Sequence, residues 1–482
     1  MPETLYPNQP IMPVTPEVSP PSAAGPEIPS MVPQIPPAPK KGFPKTILLV
    51  VLGLVVIVLL ALAVSKFLGG TKSKQANLTW WGLWEDNSVV EPLIAEYQAA
   101  NPNVKITYTR EAQQDYRERL TNALAKGTGP DIFSFHNSWV PMFKNELDSI
   151  PASVMSAADF AQTFYPVASS DLTSGTGLVG IPLEYDGLGL YVNEDLFAQG
   201  GKSVPTTWDD LRITACQLTK VENDVITQSG VALGRTENVD HWQEILALMM
   251  LQNGVNLGNP AGQLASDAIK YFTLFSTTSA CEGSQQKVWD ETLPPSTIAF
   301  AAGKVAMYLG PSWRVLEIRQ QNPNLKFKIV PVPQLPKGNA KEPNLGYATY
   351  WVQGVWSRGK NKTEAWKFLK FLSSKESLEK LYQNAAKQRL FGEPYPRVDM
   401  ASLISQDPYL GGIIATARDA QSWFLAARTY DGATGINSLI GKYFEDAVNA
   451  INKGSAVNQA LETVSAGVNQ VLSQYGLVTS QR

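Results

Sequence analysis

Apolar and polar positions switch period several times along this chain, and the switches divide it into elements. Asn77-Leu78-Thr79-Trp80-Trp81 alternates as a strand and Val89 to Ala100 repeats its apolar residues at helical spacing, with Asn101-Pro102 as the stop. Val104 to Tyr108 is the next strand, Tyr116 to Lys126 a helix ended by Gly127, and Ile132 to Phe135 a third strand. The order β-α-β-α-β predicts a parallel, doubly wound sheet with ligand-binding loops at the carboxyl ends of its strands. Trp84 and His136-Asn137 fall on those loops. Farther on, Ile181, Leu183 and Tyr185 alternate as a strand that Leu188 to Val192 continues, and Asn193 is placed to cap a short helix through Phe197. Trp208 to Lys220, with Thr207 as its cap, and His241 to Gln252 read as helices. Thr297 to Gly303 is a helix followed by a strand to Tyr308, Phe327 to Val332 and Gly346 to Trp356 are strands, and Leu439 to Lys453 and Val457 to Leu472 are closing helices divided by Gly454.

The amino end differs from all of this. Residues 1–45 hold 14 of the 34 prolines and show almost no periodicity. Such a segment buries too little apolar surface to offset the entropy of ordering, so it is expected to be a disordered tail rich in polyproline II. Ile47 to Val64 is an unbroken apolar run of 18 residues, and residues 46–68 approach the length that crosses a bilayer. Some 45 residues precede it, which suits an uncleaved anchor better than a secretory signal, although Ala61-Leu62-Ala63 resembles a cleavage site. Three lysines lie on each side of the run, so charge alone does not orient it.

At 482 residues the chain is too long for one compact core. Residues 77–482 carry 34 basic against 40 acidic side chains, which argues against a nucleic-acid partner. The two cysteines, Cys216 and Cys281, exclude a disulfide framework or cysteine metal cluster and leave open whether they pair or remain thiols. His136 and His241 are the only histidines and no HExxH is present, so a catalytic zinc is not expected. The chain has no GxSxG elbow, and Gly175-Thr176-Gly177 lacks the lysine and helix of a phosphate loop.

The segment from Gly180 to Leu211, GIPLEYDGLGLYVNEDLFAQGGKSVPTTWDDL, carries the pattern GxPxxxDxxxLxYNxDLFxxxG…PxTWDEL, with Val192 inserted between Tyr191 and Asn193 and Asp210 in place of the usual Glu. It closely resembles the extracellular solute-binding proteins that feed ABC importers, in the sugar-binding branch related to maltose-binding protein. Thr297 to Trp313 is similar to that family's FxxGKxAMxxxGxW, and Lys360 to Leu372 to its SKNKEAAWKFLKFL. The resemblance spans about residues 77–482. It implies an α/β fold of two lobes, of the periplasmic-binding-protein type II class, with lobe one near 77–183 and 342–400 and lobe two near 184–341 and 401–482. It also implies that the anchor leaves the binding domain extracellular, that several crossings form a hinge of short strands, and that the partners are a solute and ABC permease subunits. No cofactor is implied, and a monomer is expected.

A sugar offers an apolar C–H face for flat rings and a rim of hydroxyls for fixed polar groups. The loops supply both: Trp84 and Glu85, His136 and Asn137, Tyr185 and Asp186, Trp242, Trp313, Tyr350 and Trp351, and Trp423. Asp186 is the leading candidate for a hydroxyl acceptor. Glu184 and Asp186 share a strand face, which would also suit acid–base chemistry. Hence a membrane-anchored extracellular glycosidase-type enzyme, and a sensory or adhesive sugar-binding ectodomain, are the competing readings.

Overall fold

The computed structural model describes residues 53–58, 75–175, 177–339 and 342–477. The chain divides into two units, Met1–Lys72 and Ser73–Arg482. In the first, residues 53–58 are helical. The expected tail over 1–45 and the rest of the expected span over 46–68 lie outside the described residues. Among the described residues no helix is long and apolar enough to cross a membrane.

The second unit is an α/β structure with two five-stranded sheets. Its strands are β1 (Ala76–Gly82), β2 (Val104–Arg110), β3 (Ile132–His136), β4 (Thr173–Ser174), β5 (Gly177–Leu178), β6 (Ile181–Pro182), β7 (Gly189–Asn193), β8 (Lys220–Glu222), β9 (Val225–Val231), β10 (Val305–Gly310), β11 (Phe327–Val330) and β12 (Trp351–Val355). One sheet has the order β2-β1-β3-β12-β6 and the other β11-β7-β10-β9-β8; β4 and β5 form a small hairpin. As the sequence order predicts, β1 pairs in parallel with β2 and β3. The late strand β12 then joins antiparallel to both β3 and β6.

Local chemistry accounts for many element ends. Asp86 accepts the Ser88 amide at 3.0 Å and opens the helix Asn87–Ala100. Asn193 accepts the Leu196 amide and Thr207 the Asp210 amide, each at 3.1 Å, so both expected caps form. The closing helices run Ile436–Asn452 and Val457–Gln474. Two expected strands end early. Of the first only Ile181–Pro182 and, in the other sheet, Gly189–Asn193 pair within a sheet, and of the second only Trp351–Val355. Residues 183–188 and 346–350 instead pass between the two sheets and pair with each other, through the bridge Gly187 to Ala348. A third segment joins them at Gln421, which bridges Tyr347.

Cys216, on the helix Trp208–Leu218, is bonded to Cys281 with a Cα–Cα separation of 5.5 Å across 65 residues. A link of that span removes loop freedom from the unfolded chain equivalent to about 4 kcal/mol on the chain-entropy account. Cys281→Ser paired with Cys216→Ser is therefore expected to lower the melting temperature by several degrees, and reductant to do the same to the parent but not to the double variant. Calorimetry of both proteins with and without reductant checks this.

Candidate functional site

Where the three crossing segments meet the two sheets, the chain encloses a cavity of about 300 Å³. The crossings are held by main-chain bonds: Leu188 N donates to Tyr347 O, Thr349 N to Asp186 O, Ala348 N to Gln421 O and Gln421 N to Gly346 O, at 2.8–3.0 Å. Loops following β1, β3 and β10 open onto the same space, as expected for ligand loops at carboxyl strand ends. Of the residues expected at a ligand site, the cavity brings together Trp84, His136, Asp186, Trp313 and Trp351.

The rings form two groups. Trp351 has Trp84 at 5.3 Å, His136 at 5.4 Å and Tyr430 at 6.5 Å between centroids. Trp313 lies under the Arg314 guanidinium at 4.4 Å and that of Arg428 at 5.2 Å. Trp84 Nε1 is buried without a hydrogen-bond partner among the described residues, so this wall carries a donor they leave unused. The arrangement suits a flat ligand with hydroxyls, gripped through ring faces and edge donors.

The other expected residues are placed elsewhere. Tyr185 is buried, packed on Tyr165 at 4.9 Å. Asn137 and Tyr350 both donate to Asp171 Oδ2, at 2.9 and 2.8 Å, and so belong to a buried network rather than to the cavity wall. Trp242 and Trp423 line separate grooves, the first beside Thr429 and Lys442 and the second beside Asn137 and Lys144. Glu85 sits in an adjoining recess, bound to Arg389 at 2.7 Å.

Asp186 stands at the cavity floor, but its carboxylate is already occupied. It accepts the Ser312 amide at 3.0 Å, the Ser312 hydroxyl at 2.9 Å and the Gly187 amide at 2.8 Å. These bonds tie the first crossing to the end of β10. His136 is similarly engaged, with Nδ1 2.7 Å from the Ser138 hydroxyl and Nε2 3.0 Å from that of Thr349.

Sequence reasoning missed part of the wall. Glu184, weighed only as half of an acid pair, accepts the Trp351 amide at 3.1 Å. Glu244, Glu317, Arg389, Glu393 and Tyr430 were not expected there. A lone carboxylate at the start of the apolar run Ile245 to Leu251 was a usable signal for Glu244. No pattern marks Tyr430, which reaches Trp84 at 5.9 Å because its backbone is left-handed at φ 51°. Among the described residues no group of three or more His, Cys, Asp or Glu is placed to hold a metal ion.

Against this geometry the family is defined. The sequence profile of the bacterial extracellular solute-binding proteins matches residues 81–379, and the chain belongs to that family. It is similar to the multiple sugar-binding protein of Streptococcus mutans, 22% identical over 351 residues, covering 71% of this chain and 81% of that one. It is also similar to the maltotriose-binding protein of Pyrococcus abyssi, at 20% identity over 298 residues and 59% of each chain. Its fold is that of the sugar-binding protein MalE from Xanthomonas citri, with TM-score 0.66, 17% identity, and 83% of this chain on 98% of that one. A cyclo/maltodextrin-binding protein complexed with maltotetraose aligns similarly, with TM-score 0.64, 16% identity, and 83% of this chain on 98% of that one.

Several site groups are displaced from their ordinary values. Burial, with the Glu393 charge adding, pushes the Glu85 carboxyl up to about 7 against the pull of Arg389. Burial likewise pushes Asp186 up to about 7 against the Ser312 and Gly187 donors, and holds Glu184 well above the usual range. Burial lowers His136 to about 3. In the unfolded chain such carboxyls titrate near 4. Ionising them in the fold therefore costs stability that is lost as pH rises from about 4 to about 7. His136 acts oppositely, below about 6.5, because only the unfolded imidazole gains a proton there. The carboxyls outnumber the imidazole, so the melting temperature is expected to be several degrees higher at about pH 5.5 than at about pH 8. Asp186→Asn should flatten part of that slope in a thermal denaturation series.

Proposed function

We propose that this chain is a membrane-anchored extracellular receptor that captures a carbohydrate by closure of two lobes and delivers it to an ABC transporter permease. The observation that carries the reading is the cavity at the crossing strands, walled by Trp84, Trp351 and Trp313, in a chain of the solute-binding family. The sugar-binding names of its relatives support the ligand class. The lobes proposed are 77–183 with 342–400, and 184–341 with 401–482, each containing one of the two sheets' main strands. Residues 46–68 are proposed as the single-pass anchor, which would hold the receptor near its permease at high effective concentration.

In this reading the walls meet one guest from two sides only when the cleft is shut, so binding energy shifts the population toward the closed form. Ring faces cover the apolar side of the sugar and the free Trp84 Nε1 donates to a hydroxyl. The guest is released unaltered.

A thermal-shift screen of the purified full-length chain against mono- and oligosaccharides tests this, since a ligand that binds only the folded state raises its melting temperature. At least one saccharide is expected to raise it, and chromatography should recover that saccharide intact. Trp351→Ala and Trp84→Ala should each weaken binding about tenfold or more, as expected for loss of a ring at a desolvated contact. A hydrolysed saccharide, or a full affinity in both variants, would refute the reading.

A further inference from the structure

The cavity is rich in carboxyl groups. Glu184, Asp186, Glu244, Glu317 and Glu393 line it, against the guanidiniums of Arg389 and Arg428. Both cations are engaged already. Arg389 lies 2.7 Å from Glu85 and 2.8 Å from Glu393, and Arg428 lies 3.8 Å from Glu317. Glu317 also takes Arg314, at 2.5 Å. Glu184, Asp186 and Glu244 form no ion pair with a lysine or arginine among the described residues.

Glu244 stands apart from the other two. Asp186 is satisfied by Ser312 and Gly187, and Glu184 Oε1 takes the Trp351 amide. Glu244 is 1% exposed. Its Oε1 accepts the Ala427 amide at 2.7 Å and lies 3.5 Å from His241 Nδ1. Its Oε2 is buried, belongs to a residue of the cavity wall, and has no hydrogen-bond partner among the described residues. A carboxylate oxygen left so is costly and calls for a donor. A neutral hydroxyl would satisfy the oxygen but leave the Glu244 carboxylate without a lysine, arginine or other cation beside it. A cation would answer both, and the ring faces of Trp84, Trp313 and Trp351 also favour one.

We propose that the ligand of this cleft is a saccharide bearing a protonated amine, an amino sugar or its oligomer, whose ammonium group donates to Glu244 Oε2. The inference rests on the carbohydrate reading above and narrows its ligand class. The Glu85 and Glu184 carboxyls are displaced upward first by burial and then by the charge of neighbouring acids, and it is this second part that an incoming cation relieves.

Isothermal titration calorimetry of the purified full-length chain with four probes tests it: a glucosamine disaccharide, its N-acetylated counterpart, the matching glucose disaccharide, and putrescine as an amine without a sugar ring. The amine disaccharide should bind at least about tenfold tighter than either neutral disaccharide, a difference of about 1.4 kcal/mol. The preference should shrink as salt rises from about 50 to about 500 mM. Glu244→Gln should abolish the preference, so that the amine and neutral disaccharides bind with equal affinity. Should that variant fail to fold, Glu184→Gln should reduce the preference, and the salt series on the unaltered protein decides without any variant. Equal or tighter binding of a neutral disaccharide, or no binding of the amine disaccharide, overturns the inference; in the first case carbohydrate capture stands. Binding of putrescine with no disaccharide bound overturns both.

Discussion

A carboxylate buried between two sheets has to be met by donors, and the donors that meet Asp186 decide how the two halves of this protein are joined. Its neighbour Gly187 and the amide and hydroxyl of Ser312 take both oxygens. The first crossing is thereby tied to the end of β10, while its main chain pairs with the second crossing at Ala348. Gly187 is required at that place, because a Cβ there would lie 2.4 Å from Tyr347 O. The second crossing in turn pairs with the third at Gln421. The three crossing segments are thus joined to one another by single bridges rather than by a continuous sheet.

The same constraint shapes the chemistry above it. Close packing at the crossings removes water from Glu184, Asp186 and Glu85, and this burial is what raises their carboxyls. It also presses Trp84 and Trp351 edge to face at 5.3 Å, leaving their remaining surface as a rigid wall. Rigid rings lose little freedom on binding, so such a wall recognises a flat guest at low entropic cost. The cavity is therefore aromatic and acidic for one structural reason.

Acidic groups in a cleft invite the thought of catalysis, and the Glu184–Asp186 spacing supports it on paper. The hydrogen bonds argue otherwise for Asp186, whose oxygens are spent on Ser312 and Gly187. Glu184 is likewise bound to the Trp351 amide. A group that holds a crossing strand in place is poorly free to move a proton at a substrate. Membership in a family of solute-binding proteins agrees with binding rather than turnover.

The amino-acid pattern alone determined the elements and the α/β class. Helical and alternating periods, capped by Asn193 and Thr207, mark local structure because those cap bonds join residues three apart. It also marked Trp84, His136 and Trp313, because they lie at or after strand ends where a doubly wound sheet presents its ligand loops, while Trp351 reaches the same space as the first residue of the antiparallel β12. It could not separate the residues that reach the cavity from those one position away. Tyr350 and Asn137 turn to Asp171, and Tyr185 packs on Tyr165, because a strand alternates its faces and only the packed sheets decide which face is outward. Pairing of Cys216 with Cys281, convergence of Glu244, Arg389 and Glu393, and the left-handed turn that brings Tyr430 to Trp84 all join distant positions. Only the tertiary structure could decide them, since no local period encodes which side chains lie opposite across a cleft.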